Sequence, residues 1–150
     1  KTGNHLLGKM CAIIAGDEMR HHLAYREFVK LIMDQDPSQM ILAFADMMKK
    51  KIVMPAHFLR ESGGAASSAF EVFSNCAQRL GVYTSKDYID ILEKLNSYWD
   101  IENVRAISDE AEKARDYLVK LPSRLTRISE RMKFPEDQHH FKWVTPNGVL

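Results

Sequence analysis

Along the N-terminal part of the chain, apolar residues recur three and four positions apart. Written in heptads, they fall into three adjoining rows. One row is Leu7, Ile14, His21 and Phe28, the next Met10, Asp17, Ala24 and Leu31, and the third Cys11, Glu18, Tyr25 and Ile32. This spacing predicts a long helix from about Asn4 to Met33, with one broad face aimed at other helices. Asp36 and Pro37 read as the N-cap and first residue of a second helix, carrying SQMILAFADMMKKKIVM until Pro55 kinks or breaks it. The small-residue run ESGGAASS, Glu61 to Ser68, reads as a loop. A third helix covers about Ala69 to Leu80, and Gly81 suits the left-handed position that ends it. Thr84 or Ser85 caps a fourth helix, which places Tyr88, Ile91, Leu92, Leu95 and Trp99 on one face. Ser108 caps a helix from Asp109 to about Lys120, and Pro122 opens a shorter one through SRLTRISERM. After Phe134-Pro135 the pattern lapses, and Pro146-Asn147-Gly148 is a turn signal that could close a small hairpin. The fold class predicted is all-α, with a short irregular or hairpin tail.

The broad face of the first helix is apolar except at Asp17, Glu18 and His21, which lie together. Isolated charges cost several kcal/mol each to bury, so on a buried face these three should be paired or bound to metal. Glu18 and His21 are three residues apart, so both side chains project from one side and can reach one ion. Asp17 precedes His21 by four and could orient a histidine through the ring nitrogen not bound to metal. Glu-x-x-His also occurs as an ordinary surface pair, and the apolar rows around it favour the metal reading here. His22 points off the rows and reads as a rim histidine. Arg20, beside them, reads as a salt-bridge partner for a neighbouring carboxylate. Ferritin-like di-iron proteins take Glu-x-x-His from two helices and a single Glu from each of two others. This chain has one such motif, because none of His5, His57, His139 and His140 follows a Glu by three within an apolar helix.

Composition narrows the alternatives. The 150 residues are 45% hydrophobic and 27% charged, enough for one domain with a substantial core. A formal net charge of +1 argues against nucleic-acid binding through bulk charge, so electrostatic function must come from local patches. Cys11 and Cys76 are too few for a disulfide framework, which favours a reducing compartment. No apolar run approaches the roughly 20 residues needed to span a bilayer, and no targeting segment is visible. The chain opens Lys-Thr-Gly-Asn without an initiator methionine, which reads as a processed or partial chain.

The strings GDEMRHHLAY, LAFADMMKKKIVMPAH, QRLGVYTSKDYIDILEKL and DYLVKLPSRLTRISER resemble the soluble acyl-acyl-carrier-protein desaturases, over nearly the whole chain but over only about the C-terminal half of a family member. The resemblance implies a ferritin-like di-iron helical bundle, with residues 1–150 forming the C-terminal part of a single desaturase domain. It implies that Glu18 is an iron-bridging carboxylate, His21 a terminal iron ligand, and Asp17 a second-layer residue on the electron-entry path. The family's remaining ligands and most of its acyl tunnel then lie upstream of Lys1. It further implies two Fe ions, O2 as co-substrate, acyl carrier protein as the substrate's bearer, ferredoxin as electron donor and a homodimer. The compartment implied is the cytoplasm of a bacterium or the plastid stroma of a plant. A helical domain that keeps the fold and carrier-binding surface without catalysis is the alternative.

Lys49-Lys50-Lys51 reads either as a solvated helix end or as a docking patch for the acidic carrier protein. The resemblance favours docking, at Lys50 and above all Lys51. Met40, Met47, Met48 and Met54 read as gap-filling core residues, and Tyr83, Tyr88 and Trp99 as packing anchors. Cys11 reads as a small buried hydrophobe. No catalytic Ser-His-Asp or Cys-His arrangement, glycine-rich phosphate loop or zinc spacing is present.

Overall fold

The computed structural model describes residues 3–50, 68–105 and 108–132, with side chains over 68–73 excepted. Among them all regular structure is helical: α1 His5–Gln35, α2 Pro37–Lys50, α3 Ser68–Leu80, α4 Ser85–Tyr98, a single 3-10 turn Ile101–Asn103, and α5 Asp109–Ser129. The Pro55 kink, most of the Glu61–Ser68 loop, Lys51, Met54 and the hairpin tail lie outside the described residues. The chain divides into two compact units, Lys1–Lys50 with Glu93–Lys120, and Lys51–Leu92 with Leu121–Leu150. No described helix is long and apolar enough to cross a membrane.

In the first unit, Asn4 starts α1 by accepting a hydrogen bond from the Leu7 amide at 3.0 Å. Asp36 serves two helices at once. Its amide donates to the Ile32 carbonyl at 2.8 Å, closing α1. Its carboxylate accepts from the Gln39 amide at 3.0 Å, opening α2 with Pro37 at the first helical position. One residue therefore reverses the chain, and α1 and α2 pack together. Met33, Ile41, Phe44 and Ala45 are buried there, as are Ile101, Ala111, Ala114 and Leu118. Trp99 sets its ring edge-on to Phe44, centroids 5.3 Å apart, and its indole N–H donates to the Arg26 carbonyl at 3.0 Å. Asp100 takes the left-handed conformation at φ 48, which a short polar residue tolerates, and the Asn103 amide donates to its carboxylate.

In the second unit, Gly81 at φ 64 ends α3. The Gly81 amide donates to Gln78 O at 3.1 Å and the Val82 amide to Ala77 O at 3.0 Å, the paired bonds of a Schellman ending. Thr84 and Asp87 then cap α4 reciprocally. The Asp87 amide donates to the Thr84 hydroxyl at 3.3 Å, and the Thr84 amide to the Asp87 carboxylate at 2.7 Å. Those bonds to Thr84 hold the Asp87 carboxyl below the ordinary carboxylate range. Ile89, Leu92 and Leu121 are buried.

Several expectations are corrected. Pro122 does not open a new helix but sits inside α5. A proline there removes the N–H that would bond the carbonyl four residues earlier, namely that of Leu118. The Asn96 side-chain amide donates to this carbonyl at 2.9 Å, so the helix continues through the proline. The second correction concerns the broad face of α1: none of its row residues is buried, and Met33, outside the rows, is the one buried side chain of the helix. Leu7, Met10, Ile14, Phe28 and Leu31 are exposed, Phe28 to 56%, and Cys11 is exposed as well. Periodicity reports that a face needs cover; it does not report that the described residues supply it. Met47, Tyr83 and Tyr88 are likewise exposed rather than packed away.

Candidate functional site

The charged centre of α1 keeps the side-by-side placement that its spacing dictates. His21 Nδ1 lies 3.6 Å from Glu18 Oε2, with the side chains 62% and 71% exposed. Two donors on one metal at bonds of about 2.1 Å can stand at most about 4.2 Å apart, so this pair can grip a single ion. A carboxylate beside a neutral imidazole suits iron or another divalent first-row metal. Among the described residues no group of three or more His, Cys, Asp and Glu is placed to hold a metal. The pair therefore fits as part of a ligand set.

Asp17 does not turn to His21. Its carboxylate pairs with the Arg20 guanidinium, which gives Arg20 the neighbouring partner that the sequence suggested. His22 is exposed, as a rim residue should be. Lys50 Nζ lies 2.6 Å from Asp46, which offsets part of its charge, and Lys49 Nζ sits 5.2 Å from the centre of the Tyr117 ring.

One feature beside the site had no signal in the sequence, because its members lie some seventy residues apart. The Tyr98 hydroxyl donates to Glu27 at 2.5 Å, and the Arg26 guanidinium stacks 3.9 Å above the Tyr98 ring. The Tyr98 bond draws the Glu27 carboxyl below its ordinary value and raises the Tyr98 phenol. With the Trp99 bond to Arg26 O, this cluster ties α1 to the end of α4 between one and two turns beyond His21.

Among the described residues, all-helical structure with a carboxylate–histidine pair on an exposed apolar helix face defines a class: a helical protein with a Glu-x-x-His pair spaced to reach one ion. Comparison with known proteins narrows the class. Residues 1–145 match the family model described as fatty acid desaturase, and the chain belongs to that family, whose fold is a ferritin-like helical bundle. The chain is 48% identical over 150 residues to the chloroplastic stearoyl-acyl-carrier-protein 9-desaturase of Spinacia oleracea, covering 98% of this chain and 37% of that protein. It is 50% identical over 129 residues to the corresponding enzyme of Olea europaea, covering 86% and 33%. It is 47% identical over 152 residues to the chloroplastic palmitoyl-acyl-carrier-protein 4-desaturase 3 of Ophrys sphegodes, covering 99% and 38%. The chain thus spans little more than a third of the length of these relatives.

Proposed function

We propose that the chain is part of an acyl-acyl-carrier-protein desaturase, and that residues 1–150 are the C-terminal part of its single ferritin-like domain. The reaction takes two hydrogens from a saturated acyl chain, carried as a thioester on acyl carrier protein, and leaves a cis double bond. O2 accepts four electrons, two from the broken C–H bonds and two from ferredoxin, and with the two substrate hydrogens and two protons from solvent departs as two waters. The observation that carries this reading is the Glu18–His21 pair, 3.6 Å apart amid the apolar rows of α1, in a chain of the desaturase family.

Glu18 and His21 are two ligands of a centre of two irons. When bound, that centre supplies the oxygen activation. Glu18 contributes a hard carboxylate that can bridge metals, and His21 a neutral nitrogen on the same side. Asp17, held by Arg20, lies next to them as a second-layer residue on the path by which electrons enter. The remaining ligands and the helices that cover the apolar rows of α1 belong to the rest of the bundle. Covered in this way, Leu7, Met10, Ile14 and Phe28 keep water from the reacting carbons. Lys50 and Lys51 meet the acidic carrier protein, and the enzyme works as a homodimer. The relatives' chloroplastic names support the plastid stroma as its compartment.

The test is turnover by the intact protein. Palmitoyl- and stearoyl-acyl carrier protein are offered with O2 and reduced ferredoxin, and the fatty acids are analysed for new double bonds. Desaturated product that vanishes in Glu18→Gln and in His21→Gln supports the proposal. Undiminished product in either variant overturns the assignment of that residue. An intact protein that binds acyl carrier protein without turnover is the catalytically silent domain.

A further inference from the structure

The second unit holds a cavity that the proposed reaction leaves unused. It is open on one side, has a volume of about 670 Å³, and shares no residue with the Glu18–His21 pair. Ala77 from α3, Tyr83 and Ile89 from the turn and α4, Leu125 and Ile128 from the end of α5, and Met132 just beyond it form its apolar wall. Two of its polar side chains are turned to each other, Gln78 Nε2 donating to the Ser85 hydroxyl at 2.9 Å. Partial burial against the cavity pushes the phenol of the otherwise exposed Tyr83 up from its ordinary value. The size lies within the usual range of roughly 300–1,000 Å³ for small-molecule sites, which are mostly apolar with a few polar groups at the edge.

Three arginines stand at and just beyond the end of α5. Arg124 and Arg127 lie three apart on the helix, Arg131 follows in the turn after Ser129 beside Glu130, and all are exposed. The Arg127 side chain bends back to the Ser123 carbonyl at 3.3 Å. Ile128 lines the cavity one helical turn after Arg124, and the Arg131 amide donates to the Ile128 carbonyl at 3.0 Å in the turn that follows, so an arginine stands near it on either side along the chain. An apolar recess beside guanidinium groups matches one kind of occupant. The recess takes hydrocarbon, and the guanidinium fork takes a carboxylate through paired, charge-assisted hydrogen bonds.

We propose that this cavity binds a single-chain fatty-acid anion, its hydrocarbon tail against Ile128, Leu125 and Met132 and its carboxylate at Arg124 and Arg131. The site is separate from the proposed iron ligands and does not depend on them. The probe is dodecanoate, titrated calorimetrically into the intact protein below its micelle concentration at low and high salt, with dodecanol as the neutral match. Dodecanoate is expected to bind saturably at one site in the second unit and more tightly than dodecanol, and to weaken as salt rises. Arg124→Ala/Arg131→Ala is expected to weaken it by at least about tenfold, one lost charge-assisted bond being worth that much. These residues are exposed, so the variant folds, and its iron content stays that of the parent. Ile128→Glu, which sets a like charge at the cavity wall, is expected to abolish binding. Absence of saturable binding, equal binding of dodecanol, or full dodecanoate affinity in the double arginine variant would each overturn the proposal. Dodecanoate binding that persists in Ile128→Glu would place the ligand elsewhere and overturn it too.

Discussion

The continuity of α5 through Pro122 rests on one side chain, and its removal has a calculable effect. An interior proline costs a helix about 3 kcal/mol, part of it the carbonyl left without a donor. Here that carbonyl is Leu118 O, and Asn96 Nδ2 reaches it at 2.9 Å. Asn96→Ala deletes a hydrogen bond worth about 0.5–1.5 kcal/mol net and strands a part-buried carbonyl at about 1–3 kcal/mol. One gain works against this loss: Asn96 Oδ1 is itself buried without a partner, and the variant removes it. The net expectation is a loss of about 1–3 kcal/mol, read as a lower urea midpoint at unchanged slope by far-UV circular dichroism. The cause is isolated by a cycle with Pro122→Ala, which restores an N–H able to bond Leu118 O within the helix. In that background Asn96→Ala should cost about 1 kcal/mol less or better. If the two substitutions add within about 0.3–0.5 kcal/mol, Asn96 is not compensating for the proline and the reasoning fails.

Other consequences are more local. Gly81→Ala meets no atom within 4 Å, so its cost is the left-handed backbone at φ 64 alone; about 1 kcal/mol of destabilisation is expected on denaturation, and none would refute the strain. Asp87 has a folded pKa below its unfolded one, so its contribution to stability is present above the unfolded value and lost as pH falls through the folded value. Carbon-detected NMR titration should find it ionised below the ordinary carboxylate range in the parent and returned toward that range in Thr84→Val; an unmoved midpoint contradicts the capping assignment. Lys51→Glu should weaken acyl carrier protein binding and flatten its salt dependence, since docking of this kind is steered by charge. Unchanged affinity and slope would remove Lys51 from the docking surface.

Much of the fold was legible because it rests on short-range chemistry. Asn4, Asp36, Thr84 and Ser108 cap helices within three residues of themselves, and Gly81 ends α3 by its own backbone freedom, so local spacing reveals them. Pro122 was misread because the group that tolerates it, Asn96, lies twenty-six residues earlier in the chain. The Tyr98–Glu27–Arg26 cluster was invisible for the same reason. In the candidate site, the i, i+3 relation of Glu18 and His21 follows from helix geometry and appears as expected. The preference of Asp17 for Arg20 over a histidine was not readable, because both partners lie within reach of the same carboxylate. The exposure of the apolar rows on α1 could not be read either, since a periodic face looks the same whichever segment covers it.

The assignment of Glu18 and His21 as iron ligands is best judged by measuring iron content and intact mass on one sample of the protein, alongside Glu18→Ala and His21→Ala. About two irons per protomer in the parent, with marked loss in each variant at unchanged helical content, is the expected result. Parent-like iron in both variants, or an intact protein that takes up no iron when supplied with it anaerobically as Fe(II), would contradict the assignment.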